Sequence, residues 1–142
     1  MVMKKSTKYT YEIVFVLLAV AALFTGLSLF SYSPEDPSYS NIVFTRYDEP
    51  INNIFGKTGA YTADILGTFA GWVALLIPFG LIYVLVNIAR VYKGRFSRVR
   101  AAGGITSLVL FLITLSVLTG IISETDIFFP DKTGGGLLGI AG

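Results

Sequence analysis

Two places in this sequence hold residues that could do chemistry. Asp64 stands at the head of an apolar run from Ile65 to Ala89, and Gly56-Lys57-Thr58 reproduces the last three positions of the phosphate-binding P-loop. An ionised carboxylate at bilayer mid-depth costs about 3 kcal/mol on insertion scales, so an intramembrane acid has a function or a partner. Asp64 is only at the outer mouth of its run, three residues before Gly67, seven before Gly71 and on nearly their face. There it would be an early-turn acid favoured by the helix dipole, or a polar anchor bonded to a neighbouring helix. That structural reading is preferred to proton or ion coupling. The P-loop needs a glycine five positions before Gly56, where this chain has Ile51, and a buried strand ahead of it, which the sequence lacks. Nucleotide binding at Lys57 is not expected.

The rest of the inventory is equally sparse. With no Cys and no His, the chain has no thiolate chemistry, imidazole base or usual zinc or haem ligand. No catalytic, cofactor-binding or metal site is expected. A membrane enzyme is the weakest class, since only hydroxyls and scattered acids remain.

The elements that must carry these residues are membrane helices. The 142 residues are 54% hydrophobic and 14% charged, with a mean hydropathy of +0.70, which describes an integral membrane protein. Ile13 to Ser31, Ile65 to Ala89 and Ile105 to Ile122 lack Asp, Glu, Lys and Arg and approach or exceed the roughly 20 residues that span a bilayer. Lys4, Lys5 and Lys8 precede the first run; Arg90, Lys93, Arg95, Arg98 and Arg100 lie between the second and third, and Glu12 is the one acid in these two segments. The other segments hold mainly acids. By the positive-inside rule, the N-terminus and the second connection are cytoplasmic.

In order, the expected organisation is a single all-α domain. A cytoplasmic tail (1–12, with Tyr9 and Tyr11 at interface depth) leads to a first span (13–31). Ser33-Pro34-Glu35-Asp36-Pro37-Ser38 stops that helix. A periplasmic loop (32–58) follows, with a short interfacial helix near 50–55 started by Glu49 and Pro50. The second span (59–90) is long enough to tilt or bend, and Pro78 supplies a kink. A basic loop (91–104), a third span (105–123), an acidic turn (124–133) and the start of a fourth span (134–142) complete the chain. Ala19-Val20-Ala21 mimics a signal cleavage site, but an uncleaved anchor is the preferred reading.

From Gly59 the small residues recur every fourth position, as Gly59, Ala63, Gly67 and Gly71. At 3.6 residues per turn this lays a groove along one helix face, in which a second helix can lie close.

Taken together, FSYSPEDPSYSN after the first span, PINNIFGKTGAYTADILGTFAGWVALLIPFG leading into the second, and GGGLLG opening the fourth resemble one family. It is the N-terminal four-helix membrane domain of the FtsK/SpoIIIE DNA translocases. The residues that carry the resemblance are Asp36, Pro37, Ser38, Asn53, Gly56, Gly59, Ala60, Asp64, Gly71, Pro78, Gly135, Gly136 and Gly139. It implies a noncatalytic, septum-localising anchor in the bacterial inner membrane, in contact with the bilayer and with other division proteins, and homo-oligomeric in its full-length form. ATP, Mg and DNA are implied only for a hexameric motor absent from these residues. The competing class is a small transporter or channel subunit using Asp64 and the Pro78 bend, which would need more intramembrane polar groups than Ser, Thr and Asn87 supply.

Overall fold

The computed structural model describes residues 5–39, 50–95, 97–122 and 136–140. They form an all-α bundle of α1 (Lys5–Phe30), α2 (Gly56–Ala70), a 3-10 segment (Gly71–Leu76), α3 (Ile77–Tyr92), α4 (Arg98–Ile122) and α5 (Gly136–Ile140). Three stretches are long and apolar enough to cross a membrane: Tyr9–Phe30, Gly56–Tyr92 and Arg98–Ile122. The expected turn at 124–133, Gly135, and the acids and bases of 40–49 lie outside the described residues.

Helix ends are set by local polar chemistry, so helices run past the apolar limits seen in the sequence. α4 starts at Arg98 because Ser97 caps it: the Arg100 N–H donates to Ser97 Oγ at 3.2 Å, and the Ala101 N–H to the Ser97 carbonyl at 3.1 Å. α3 closes with a Schellman turn. The Gly94 N–H donates to the Val91 carbonyl and the Arg95 N–H to the Arg90 carbonyl, each at 3.0 Å, with Gly94 at φ +67°. The basic loop expected over 91–104 is therefore largely helical, with a short turn at its middle.

The second span departs from α geometry earlier than Pro78. Gly71 adopts φ 57°, ψ −142°, and its N–H still closes α2 on the Gly67 carbonyl. The backbone then runs as 3-10 helix to Leu76. Pro78 falls in the first turn of α3, directly after the 3-10 segment, so the stretch without α geometry runs from Gly71 up to the proline. Gly71 is free to take the left-handed conformation that starts this break.

Residues 50–55 are not helical. Their amide hydrogens are committed elsewhere: those of Asn52 and Asn53 to the Asp36 carboxylate, that of Ile54 to Ser31 Oγ and that of Phe55 to the Asn53 side chain. A helical turn would find its donors already taken.

The core is small and built from short side chains. Leu29, Ala63 and Ala74 form its centre, with Tyr32, Leu66, Ala70, Leu75 and Ile77 against it. On α1, Ala22, Gly26 and Leu29 share the buried face. A Cβ on Gly26 would lie 3.5 Å from Pro78 Cβ, ordinary van der Waals contact, so α1 and α3 pack closely at this position. α4 rests on α3 through Leu108, 3.4 Å from a Cβ built on Gly80. Only 6% of the most apolar window of α4 is buried, leaving its surface for lipid. Gly136, at φ +59°, brings the start of α5 against the junction after α2: a Cβ there would lie 2.6 Å from Gly71 N and 2.7 Å from Ala70 N.

Candidate functional site

The main polar assembly among the described residues joins the end of α1 to the start of α2. Ser33-Pro34-Glu35-Asp36 forms a turn, closed by the Asp36 N–H on the Ser33 carbonyl at 3.2 Å, with Pro34 in the second position where its fixed φ is already suited. The turn aims the Asp36 carboxylate, 2% exposed, at the incoming chain. The Asn52 N–H donates to Oδ1 at 2.8 Å and the Asn53 N–H to Oδ2 at 2.9 Å. Both go to a carboxylate, the stronger kind of bond, and the one from Asn53 is buried.

Asn53, itself 4% exposed, completes the clasp. Its Nδ2 donates to the Ser28 carbonyl at 2.9 Å and to the Ser31 carbonyl at 3.3 Å, groups that the end of α1 leaves without helical partners. Its Oδ1 accepts from the Phe55 N–H at 3.1 Å. The reversed amide would set acceptor against acceptor and donor against donor at all three contacts, which fixes its orientation. The backbone carbonyl of Asn53 accepts from the Gly56 N–H at 2.8 Å, so one asparagine caps the first helix and turns the chain into the second. The rings of Phe24 and Phe55, 4.8 Å apart, cover the clasp on its apolar side.

The clasp draws in six of the residues singled out in the sequence: Asp36, Pro37, Ser38, Asn53, Gly56 and Gly59. Pro37 is half-buried and Ser38 buried beside Asp36. Gly56 sits at φ +59° where the chain enters α2. Gly59 is glycine because Asn53 occupies the space of its side chain: a Cβ there would collide with Asn53 Oδ1 and lie 2.9 Å from Phe55 Cβ. The first position of the small-residue groove is thus filled by a loop side chain rather than by a second helix. Ala60, Ala63, Asp64 and Gly67 are buried on α2 and Gly71 at the start of the 3-10 segment. Asp64 is 1% exposed, turned into protein. Gly136 and Gly139 lie in α5, away from the clasp.

Two features escaped the sequence reading. Asn53 as the cap of a helix that ends more than twenty residues earlier has no local signature. The small stripe of Ala22 and Gly26 on α1 does: it repeats the four-residue spacing read on α2. Among the described residues no group of three or more His, Cys, Asp or Glu could hold a metal ion.

Fold and site together define a multi-span helical membrane domain whose polar side chains hold helix ends in register. Residues 7–141 match the family described as the 4TM region of DNA translocase FtsK/SpoIIIE, and the chain belongs to that family. The match is to the membrane region, not to a motor. Similar proteins include the DNA translocase FtsK of Haemophilus ducreyi, 31% identical over 120 residues, which are 81% of this chain and 12% of that protein. The DNA translocase FtsK of Rickettsia bellii is 31% identical over 126 residues, 88% of this chain and 15% of that protein. That of Azospirillum brasilense is 40% identical over 60 residues, 42% of this chain and 9% of that protein. No solved structure matches.

Proposed function

We propose that this chain is the noncatalytic membrane anchor and interaction module of a bacterial DNA translocase, holding a cytoplasmic motor at the inner membrane of the division septum. The observation that carries the reading is the family match over residues 7–141. Asp36, Asn53 and Gly59, on which the family resemblance was first drawn, also hold the first two spans together. The function is placement: a rigid pair of spans transmits the position of an outer loop to whatever follows the fourth span inside.

The end bearing Arg90, Lys93, Arg95, Arg98 and Arg100, all exposed, faces the cytoplasm, and the clasp faces the periplasm. An N-terminus inside and a fourth span begun at 134–142 return the chain to the cytoplasmic side, where a motor would meet DNA. The loop between Asp36 and Gly56 offers its surface to other cell-division membrane proteins. Gly67 and Gly71 hold α2 close to its neighbours, and the lipid-facing side of α4 is free to meet further copies in a homo-oligomer.

Reporter fusions test this reading. Alkaline phosphatase should be active when joined after Tyr39 and inactive after Gly94, and a fluorescent fusion of the whole chain should collect at the septum. An active phosphatase at Gly94, or even fluorescence around the whole membrane, would overturn it. Gly67→Leu should weaken assembly and septal recruitment together.

A further inference from the structure

At the end opposite the clasp, five cations crowd the turn between α3 and α4. Arg90, Lys93, Arg95, Arg98 and Arg100 are all exposed, and the sequence holds no acid between Asp64 and Glu124. The turn is short and its backbone is fixed. Residues 93–97 separate the two helices, the Schellman turn at Gly94 closes one side and the Ser97 cap opens the other. The cations therefore stand at the ends of the spans Gly56–Tyr92 and Arg98–Ile122, at the depth of lipid headgroups. Val99, 82% exposed, places an apolar side chain at the same depth, between Arg98 and Arg100.

We propose that this turn is a binding surface for anionic phospholipid headgroups and gathers such lipids around the domain. The spacing of the cations decides the form of the ligand. Arg90 and Lys93 are three apart and share a face of α3, whereas Arg98 and Arg100 are two apart and leave α4 on opposite sides. Arg95 stands in the turn between them. Charges that point in several directions meet several singly charged headgroups, not one multiply charged molecule. Their depth decides its source. Lipid phosphates are the nearest anions at a span end, and a guanidinium holds a phosphate by two parallel N–H···O bonds. A nucleic acid duplex would reach only the outward rim of such a ring of charge. The inference does not rest on the function proposed above, since anionic lipid is recognised in the same way in either leaflet.

Spin-labelled lipids test the assignment. The full chain is placed in phosphatidylcholine bilayers with a trace of phosphatidylglycerol or phosphatidylcholine labelled near the end of one acyl chain. Electron paramagnetic resonance then reads the fraction of label held beside the protein. The anionic label should be preferred about fivefold, the worth of one cation near an anionic surface. Raising the ionic strength from about 0.01 M to about 1 M shortens the Debye length from about 30 Å to about 3 Å and should bring the two labels within about twofold. That arm uses the unaltered chain, so it holds even if a variant fails to fold. Arg95→Gln, Arg98→Gln and Arg100→Gln combined should lose the preference, with unchanged circular dichroism as the control for folding. Lys4→Gln, Lys5→Gln and Lys8→Gln combined should keep it. Equal retention of the two labels by the unaltered chain at low salt would overturn the proposal. So would a preference that persists at high salt or in the folded arginine variant, or one lost in the lysine variant alone. Displacement of the anionic label by a duplex oligonucleotide would give the turn to nucleic acid instead.

Discussion

Replacing Gly59 by alanine measures how the clasp is built. The new Cβ would overlap the Asn53 side-chain oxygen and lie 2.8 Å from Asn53 Cγ, so Asn53 must move. Asn53 donates to the Ser28 and Ser31 carbonyls and accepts from the Phe55 N–H; at about 1 kcal/mol net for each bond, its truncation to alanine should cost about 3 kcal/mol. Displacing it loses much the same, against which a helical Gly→Ala change gains about 1 kcal/mol. Gly59→Ala alone should therefore cost about 2 kcal/mol. Once Asn53 is alanine, its blocking oxygen and carbon are gone, and only Phe55 Cβ at 2.9 Å must still give way. Adding Gly59→Ala should then change stability by less than about 1 kcal/mol, and the double variant should be better than the sum of the singles by about 2 kcal/mol. Unfolding by SDS in mixed micelles, followed by circular dichroism and by the emission of Trp72, the one tryptophan, gives all four stabilities. Additive single effects would refute the reasoning, because they would mean that Gly59 and Asn53 act independently.

The same titration checks three further expectations. Asp36→Asn keeps one acceptor but turns an amide donor towards a backbone N–H, and should cost about 2 kcal/mol; Asp36→Ala should cost about 3 kcal/mol. Ser28 Oγ is buried without a hydrogen-bond partner, so Ser28→Ala should be neutral or stabilising by up to about 1 kcal/mol. Spin labels at the exposed positions Tyr61 and Tyr83 span the break in the second membrane segment. Their separation should hold in Pro78→Ala and change in Gly71→Ala, where φ 57°, ψ −142° is strained by about 1–3 kcal/mol for an alanine.

The three spans were legible because length and lack of charge are properties of a continuous stretch, read without knowing any neighbour. The clasp was legible only in part. Asp36, Asn53 and Gly59 stood out as members of a pattern, but nothing local says that Asn53 caps α1, since the bond joins residues 25 apart in the chain. The short helix expected at 50–55 is absent because the same long-range bonds take its amides. Pro78 was the visible candidate for a bend, and it stands directly after the 3-10 segment. The departure from α geometry starts seven residues earlier, at Gly71, which the sequence reading took for a packing position. Ala22 and Gly26 could have been read by the rule applied to α2.

The clasp also closes a loop. Asp36 is fastened to Asn52, 16 residues on, so the two ends of the intervening stretch are held together by hydrogen bonds. Extra chain in such a closed loop costs only about 0.6 kcal/mol for each doubling of its length. The domain is therefore open to insertion between those two points. An epitope tag placed there should leave the helices undisturbed.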